Sequence, residues 1–166
     1  RNYNENNLIS FLKLHFSIPE IEVAIKKYFI GTSSHWNGAN IFWQVDHEMN
    51  VCAGKVMLYD ESCGRRIKKP FPHITWMHKV LRIHTFVLQQ CMFGIHNLCD
   101  YQPNSVVCVV ESEKTAIIMS ILYPSYLWLA TGSKSNFKVE LLQPLKDYKI
   151  IAFPDKTEFQ NWNTKV

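Results

Sequence analysis

The stretch Ser105–Ser120, SVVCVVESEKTAIIMS, carries an apolar run, Val106–Val110, straight into Glu111-Ser112-Glu113-Lys114 and then into apolar residues at helical spacing. An apolar run of that length bounded by polar residues is sized for a buried strand. Open α/β sheets bind their ligands in the loops that leave the carboxyl ends of such strands, so two carboxylates and a lysine at this junction form a candidate site.

Downstream the same rhythm repeats. A second apolar segment, Tyr126–Ala130, precedes the turn Thr131-Gly132-Ser133 and a predicted helix over about 136–142, and YKIIAF (148–153) is a third strand leading into PDKTEF. Strands alternating with helices at this interval predict βαβ units and a parallel sheet covered on both faces. If the three strands are parallel, Glu111, the Gly132 turn and Asp155 open on one edge. Two readings of these acids stand side by side. Paired carboxylates beside a flexible turn can share a divalent cation that also takes phosphate oxygens. Alternatively, Glu111 or Ser112 and Asp155 cap the helices that follow them.

Upstream the pattern differs. Leu8, Phe11, Leu12 and Phe16 sit at helical spacing, and a second helix is predicted from Ser17 and Pro19 to a stop at Gly31. The runs IFWQVD and VCAGKVMLYD flank the turn-like HEMN and predict an antiparallel hairpin, residues 61–79 read as a loop or irregular β segment, and a short helix or two is expected near Gly94. The division expected is an α+β lobe over 1–100 and an α/β lobe over 101–166, the latter cut short at its C-terminal end.

With 166 residues, 47% hydrophobic and 19% charged, the chain has a globular composition. Its apolar runs are strand-sized, which excludes a membrane-spanning helix of about 20 residues. It begins at Arg1 rather than Met and carries no signal-peptide pattern, as expected of an excised piece. Five cysteines without a C-x-x-C spacing argue against a disulfide framework or a structural zinc site and for reduced thiols in the cytoplasm. The spacings of His73, His78 and His84 match no metal-binding helix face. The net charge of +4 is placed unevenly: Arg65, Arg66, Lys68 and Lys69 fall within five positions, with Lys55 upstream and Trp76 downstream. Such a cluster is either a phosphate-binding surface, with Trp76 available to stack on a base, or a solvated hairpin tip. Lys114 and Lys134 lie in the loops of the candidate site and are within reach of phosphates there.

Together VVESEKTAIIMS, LATGSKS and IIAFPDKTEF resemble the landmarks of the Toprim fold of bacterial primases and topoisomerases: a Glu after the first strand, a Gly turn after the second, and an acidic D-x-D after the third. IFWQVDHEMNVCAGKVMLYD with the basic stretch and QQCMFGIHNL is similar to the lobe that precedes Toprim in DnaG-type primases. Across roughly residues 28–162 the chain resembles most the Toprim-like proteins carried on mobile elements of Bacteroidetes. The resemblance implies a primase-like α+β lobe followed by a Toprim-like parallel sheet flanked by helices. It implies catalytic roles for Glu111 and Asp155, a Mg²⁺ site formed by Glu111, Asp155 and Thr157, and nucleic-acid contacts from Lys55, Arg65, Arg66, Lys68 and Lys69, to which the stacking position of Trp76 and the loop positions of Lys114 and Lys134 add three further candidate contacts. The partners implied are nucleic acid, chiefly single-stranded DNA, and other replication or mobilisation proteins. The chain departs from the pattern at Thr157, where the second Asp belongs, and at Thr115, where an acid is usual. A hydroxyl brings no negative charge to a cation. Two functions therefore remain open: Mg²⁺-dependent nucleotidyl transfer or phosphodiester cleavage in DNA replication or mobile-element maintenance, and a non-catalytic nucleic-acid-binding or protein-interaction module with a degenerate site.

Overall fold

The computed structural model describes residues 5–164. The chain divides into two compact units, one running to Gln44 and from Val51 to Gln89, the other comprising Val45–Asn50 and the chain from Gln90 onward. Among the described residues no helix is long and apolar enough to cross a membrane.

The first unit opens with α1 (Asn7–Lys13) and α2 (Ile18–Tyr28). Asn6 caps α1: its side-chain oxygen accepts from the Ile9 N–H at 3.0 Å, while its amide donates to Thr32 Oγ1 at 3.1 Å. At the start of α2 the Glu20 carboxylate accepts from the Ser17 hydroxyl at 2.6 Å and the Ser17 N–H at 2.8 Å, and these two bonds hold its carboxyl below the usual carboxylate range. The predicted stop at Gly31 falls three residues late. The helix ends at Tyr28, with Phe29 taking the left-handed conformation at φ 49°. Gly31 instead lies inside the first strand, where a Cβ would meet Trp43 Nε1 at 2.9 Å, so its small size serves a close approach and not a helix stop.

A four-stranded sheet follows in the order β1 (Ile30–Ser33), β2 (Ala39–Val45), β3 (Val51–Met57) and β4 (Ile74–Trp76). The predicted hairpin is β2–β3. The β1–β2 and β3–β4 pairs are antiparallel, with Ile30 opposite Phe42 and Lys55 opposite Trp76. One face packs Ala39, Ile41, Val56 and Leu58 against Trp36, Trp43 and Met77. The irregular region resolves into a loop, the short β4, and α3 (Met77–Val80).

In the second unit a 3-10 turn, Ile95–Asp100, begins at Gly94 (φ 87°) where a short helix is expected. Then come β5 (Val106–Val110), α4 (Glu113–Leu122), β6 (Leu127–Ala130), α5 (Val139–Leu142), β7 (Lys149–Phe153) and α6 (Phe159–Asn163). All three strands are parallel, in the order β6-β5-β7, with Val110 level with both Ala130 and Phe153. Period-2 alternation sends Val107, Val109, Leu127 and Leu129 to one face, where they meet Phe137, Leu145 and Trp162. The helix predicted over 136–142 is shorter than expected. It breaks into a 3-10 turn, Lys134–Asn136, and the four-residue α5, because Phe137 leaves helical geometry (φ -77°, ψ 89°) to enter the core at 0% exposure. There its ring stacks on Trp162 at 4.1 Å.

Candidate site at the carboxyl edge of the parallel sheet

Because β5, β6 and β7 run parallel and end in register, the loops after Val110, Ala130 and Phe153 leave the sheet at one edge. Glu111, Gly132 and Asp155 are thus brought to a common rim. The first two loops are tied by backbone: the Thr131 N–H donates to the Val110 carbonyl at 3.0 Å and the Gly132 N–H to the Glu111 carbonyl at 2.8 Å. Gly132 adopts φ 75°, a left-handed conformation a side chain would strain. Within the turn Thr131 Oγ1 donates to the Ser133 carbonyl at 2.9 Å, and Asn136 Nδ2 to the Thr131 carbonyl at 3.2 Å. The turn is therefore held by hydrogen bonds along its length.

The capping function after β5 falls to Ser112, whose hydroxyl accepts from the Thr115 N–H at 3.3 Å. Glu111 is half-buried just before that cap, and Glu113 is buried on the first turn of α4. The Thr115 hydroxyl donates to Ser112 Oγ at 3.3 Å. Lys114 is half-buried beside them.

After β7, Asp155 and Thr157 are exposed. Glu158 is 7% exposed; its N–H donates to the Asp155 carbonyl at 2.8 Å. Its carboxylate is engaged from two sides, by Asn161 Nδ2 at 2.9 Å on Oε2 and by Lys134 Nζ at 3.6 Å on Oε1. Glu158 is not among the residues that the sequence singles out, and its pairing with Lys134 emerges only from the structure. The i, i+3 spacing of Glu158 and Asn161 at a helix start was the one signal that pointed to it.

A magnesium centre needs hard oxygen donors in number, at least some of them charged. The rim offers the Glu111 and Asp155 carboxylates and the neutral Thr157 hydroxyl, while the third nearby acid, Glu158, is bound to Lys134 and Asn161. Among the described residues no group of three or more His, Cys, Asp or Glu side chains is placed to hold a metal ion. The donors present fall short of a dedicated magnesium site.

The basic segment of the first unit is organised separately. The Asp60 carboxylate accepts from the Ser62 hydroxyl at 2.6 Å, the Ser62 N–H at 2.8 Å and the Cys63 N–H at 3.2 Å, bonds that hold its carboxyl below the usual range. Gly64, buried at φ 63°, closes the turn against the Phe11 ring. Tyr59 bridges to Arg66, and the Asp60 N–H donates to the Arg65 carbonyl at 2.9 Å. On this fixed turn Arg65, Arg66, Lys68 and Lys69 are all exposed. Lys55 is not displayed with them: it is 6% exposed within β3, opposite the half-buried Trp76.

The fold has solved counterparts. The primase fragment of the bacteriophage T7 primase-helicase protein is similar at 17% identity and a TM-score of 0.54, covering 84% of this chain and 53% of that one. A chain from the bacteriophage T7 lagging-strand DNA polymerase interacting with primase domains of two gp4 subunits, bound to an RNA/DNA hybrid and dTTP, is similar at 11% identity and a TM-score of 0.56, covering 85% of this chain and 67% of that one. The chain thus spans about half the length of the primase fragment. At these identities the likeness is one of fold: a parallel sheet flanked by helices, preceded in the chain by an antiparallel sheet, is shared with the T7 primase fragment. No curated protein matches. Over residues 6–156 the sequence matches the family described as "Domain of unknown function (DUF6371)", and this chain belongs to that family.

Proposed function

We propose that this protein is a nucleic-acid-binding module of primase-like fold that holds single-stranded DNA through phosphate contacts. The observation that carries the reading is the turn around Gly64, which displays Arg65, Arg66, Lys68 and Lys69 to solvent on a backbone fixed by Asp60. Counterion release makes such a surface bind nucleic acid strongly at low salt and weakly at high salt. Its setting would be DNA replication or mobile-element maintenance in the cytoplasm, alongside other replication or mobilisation proteins. Fluorescence anisotropy with a labelled oligothymidylate across a salt series tests it. Replacing all four cations with alanine should weaken binding and flatten the salt dependence by about 3 in log–log slope, the value for four contacts to a single strand. An unchanged slope removes the reading.

A second reading, Mg²⁺-dependent nucleotidyl or phosphoryl transfer, draws support from Glu111 and Asp155 leaving the same sheet edge. Under it, Glu111→Gln abolishes metal-dependent turnover of nucleotide or oligonucleotide; turnover equal to the parent's eliminates it.

A further inference from the structure

The Lys134–Glu158 pair is unlike an ordinary surface ion pair, because its two ends are held differently. The Glu158 side chain is 9% exposed and the Lys134 side chain 69%. The acid is fixed: Asn161 occupies Oε2 at 2.9 Å, and α6 is anchored by Trp162, 1% exposed and stacked on Phe137. Phe137 directly follows the turn Lys134–Asn136, so the loop carrying the lysine and the helix carrying the acid are joined twice, by ring stacking and by charge. The lysine's backbone is held too, through the bonds of Thr131 and Asn136 within the Gly132 turn. An ammonium has three donors, and a single carboxylate oxygen at 3.6 Å leaves donors facing solvent.

Lys134 therefore stands as a positioned cation at the edge where Glu111 and Asp155 emerge. The Ser133 and Ser135 hydroxyls, 3.1 Å apart, flank it. A flexible lysine loses rotamer entropy when it grips a phosphate, and one already restrained loses less. Glu158 already carries Asn161 on one carboxylate oxygen and Lys134 beside the other.

We infer that Glu158 is a positioning residue that sets Lys134 to receive a backbone phosphate of single-stranded nucleic acid at this rim, in place of capture through a divalent cation. The inference rests on the nucleic-acid reading above. The test is anisotropy with a fluorescein-labelled oligothymidylate, in EDTA and in Mg²⁺ at matched ionic strength, on the parent chain, Lys134→Ala, Glu158→Gln and the double variant, with a thermal melt of each. The parent should bind equally well with and without Mg²⁺. Lys134→Ala should weaken binding several-fold and reduce the salt slope by about 0.7, one phosphate contact to a single strand. Glu158→Gln should reproduce part of that loss, and the double variant should bind no worse than Lys134→Ala alone, a non-additivity that a purely structural role for Glu158 does not produce. Loss of parent binding in EDTA, parental affinity in Lys134→Ala, or additive losses in the double variant each overturn the inference. Parental affinity in Lys134→Ala beside failure of the four-cation variant overturns it while sparing the broader reading. No binding by the parent at low salt overturns both.

Discussion

Truncating Trp162 probes the element on which the rim depends. Its ring is 1% exposed and lies at 4.1 Å and 5° from that of Phe137, which is wholly buried. Its indole Nε1 is buried with no hydrogen-bond partner. Trp162→Ala removes the stack and opens a cavity in the core of the second unit, at a cost of about 3–5 kcal/mol. That is a large part of the roughly 5–15 kcal/mol that holds a domain folded. Trp162→Phe keeps an aromatic ring against Phe137 and deletes the orphaned N–H, whose burial opposes folding by about 1–3 kcal/mol. The lost ring area and the removed penalty act in opposite directions, so the Phe variant should stay within about 1.5 kcal/mol of the parent. Urea denaturation followed by far-ultraviolet circular dichroism separates the two, avoiding a fluorescence signal that the substitutions themselves alter. Equal losses for Phe and Ala would refute the stacking account, as would an Ala variant within about 1 kcal/mol of the parent, the size of an ordinary surface substitution. A destabilised α6 also detaches Glu158 from Lys134, so Trp162→Ala should flatten the salt slope of oligonucleotide binding under conditions where β5 and β6 remain folded.

Gly54→Ala places a Cβ 2.6 Å from Trp43 Cζ3 and 2.8 Å from Met77 Cγ, and overpacking of this kind costs about 1–3 kcal/mol in the melting of the first unit; a neutral melt would mean that Trp43 moves freely. With Ellman's reagent, the exposed Cys63 and Cys99 should react in the native protein, while Cys108, whose thiol burial pushes up in pKa, should react only after unfolding. Fast native labelling of Cys108 would contradict the placement of β5 in the sheet interior.

The fold of the second unit was legible because it is written in residues whose physics is local and periodic. VVCVV is strand-sized, β-branched and bounded by polar residues, and it forms β5, while Gly132 marks the bend after β6 because a left-handed φ favours its lack of a Cβ. Parallel strands separated by crossovers then place Glu111 and Asp155 on one edge without any tertiary information. Where prediction failed, a long-range contact overrode local preference. Phe137 sits in a segment that reads as helix, yet its burial against Trp162, 25 residues later, breaks that helix and leaves only the four-residue α5. Gly31 reads as a helix stop, yet Trp43 across the sheet explains its size.

The rim was only half legible for the same reason. Which acids reach an edge follows from topology, but what each acid then does follows from its partners, and those partners come from another loop. Glu158 and Asp155 are three residues apart and carry the same charge. One is exposed, while the other is buried and bound to a lysine 24 positions earlier, so their chemistry differs although their sequence context does not. A carboxylate left in solvent keeps its full capacity for a cation, whereas one already neutralised at close range has spent its field on that partner. Thr157 brings no charge to the edge and Glu158 is paired with Lys134, so both leave it less acidic. Under the reading proposed above, that lowers the repulsion met by a phosphate arriving without a metal ion.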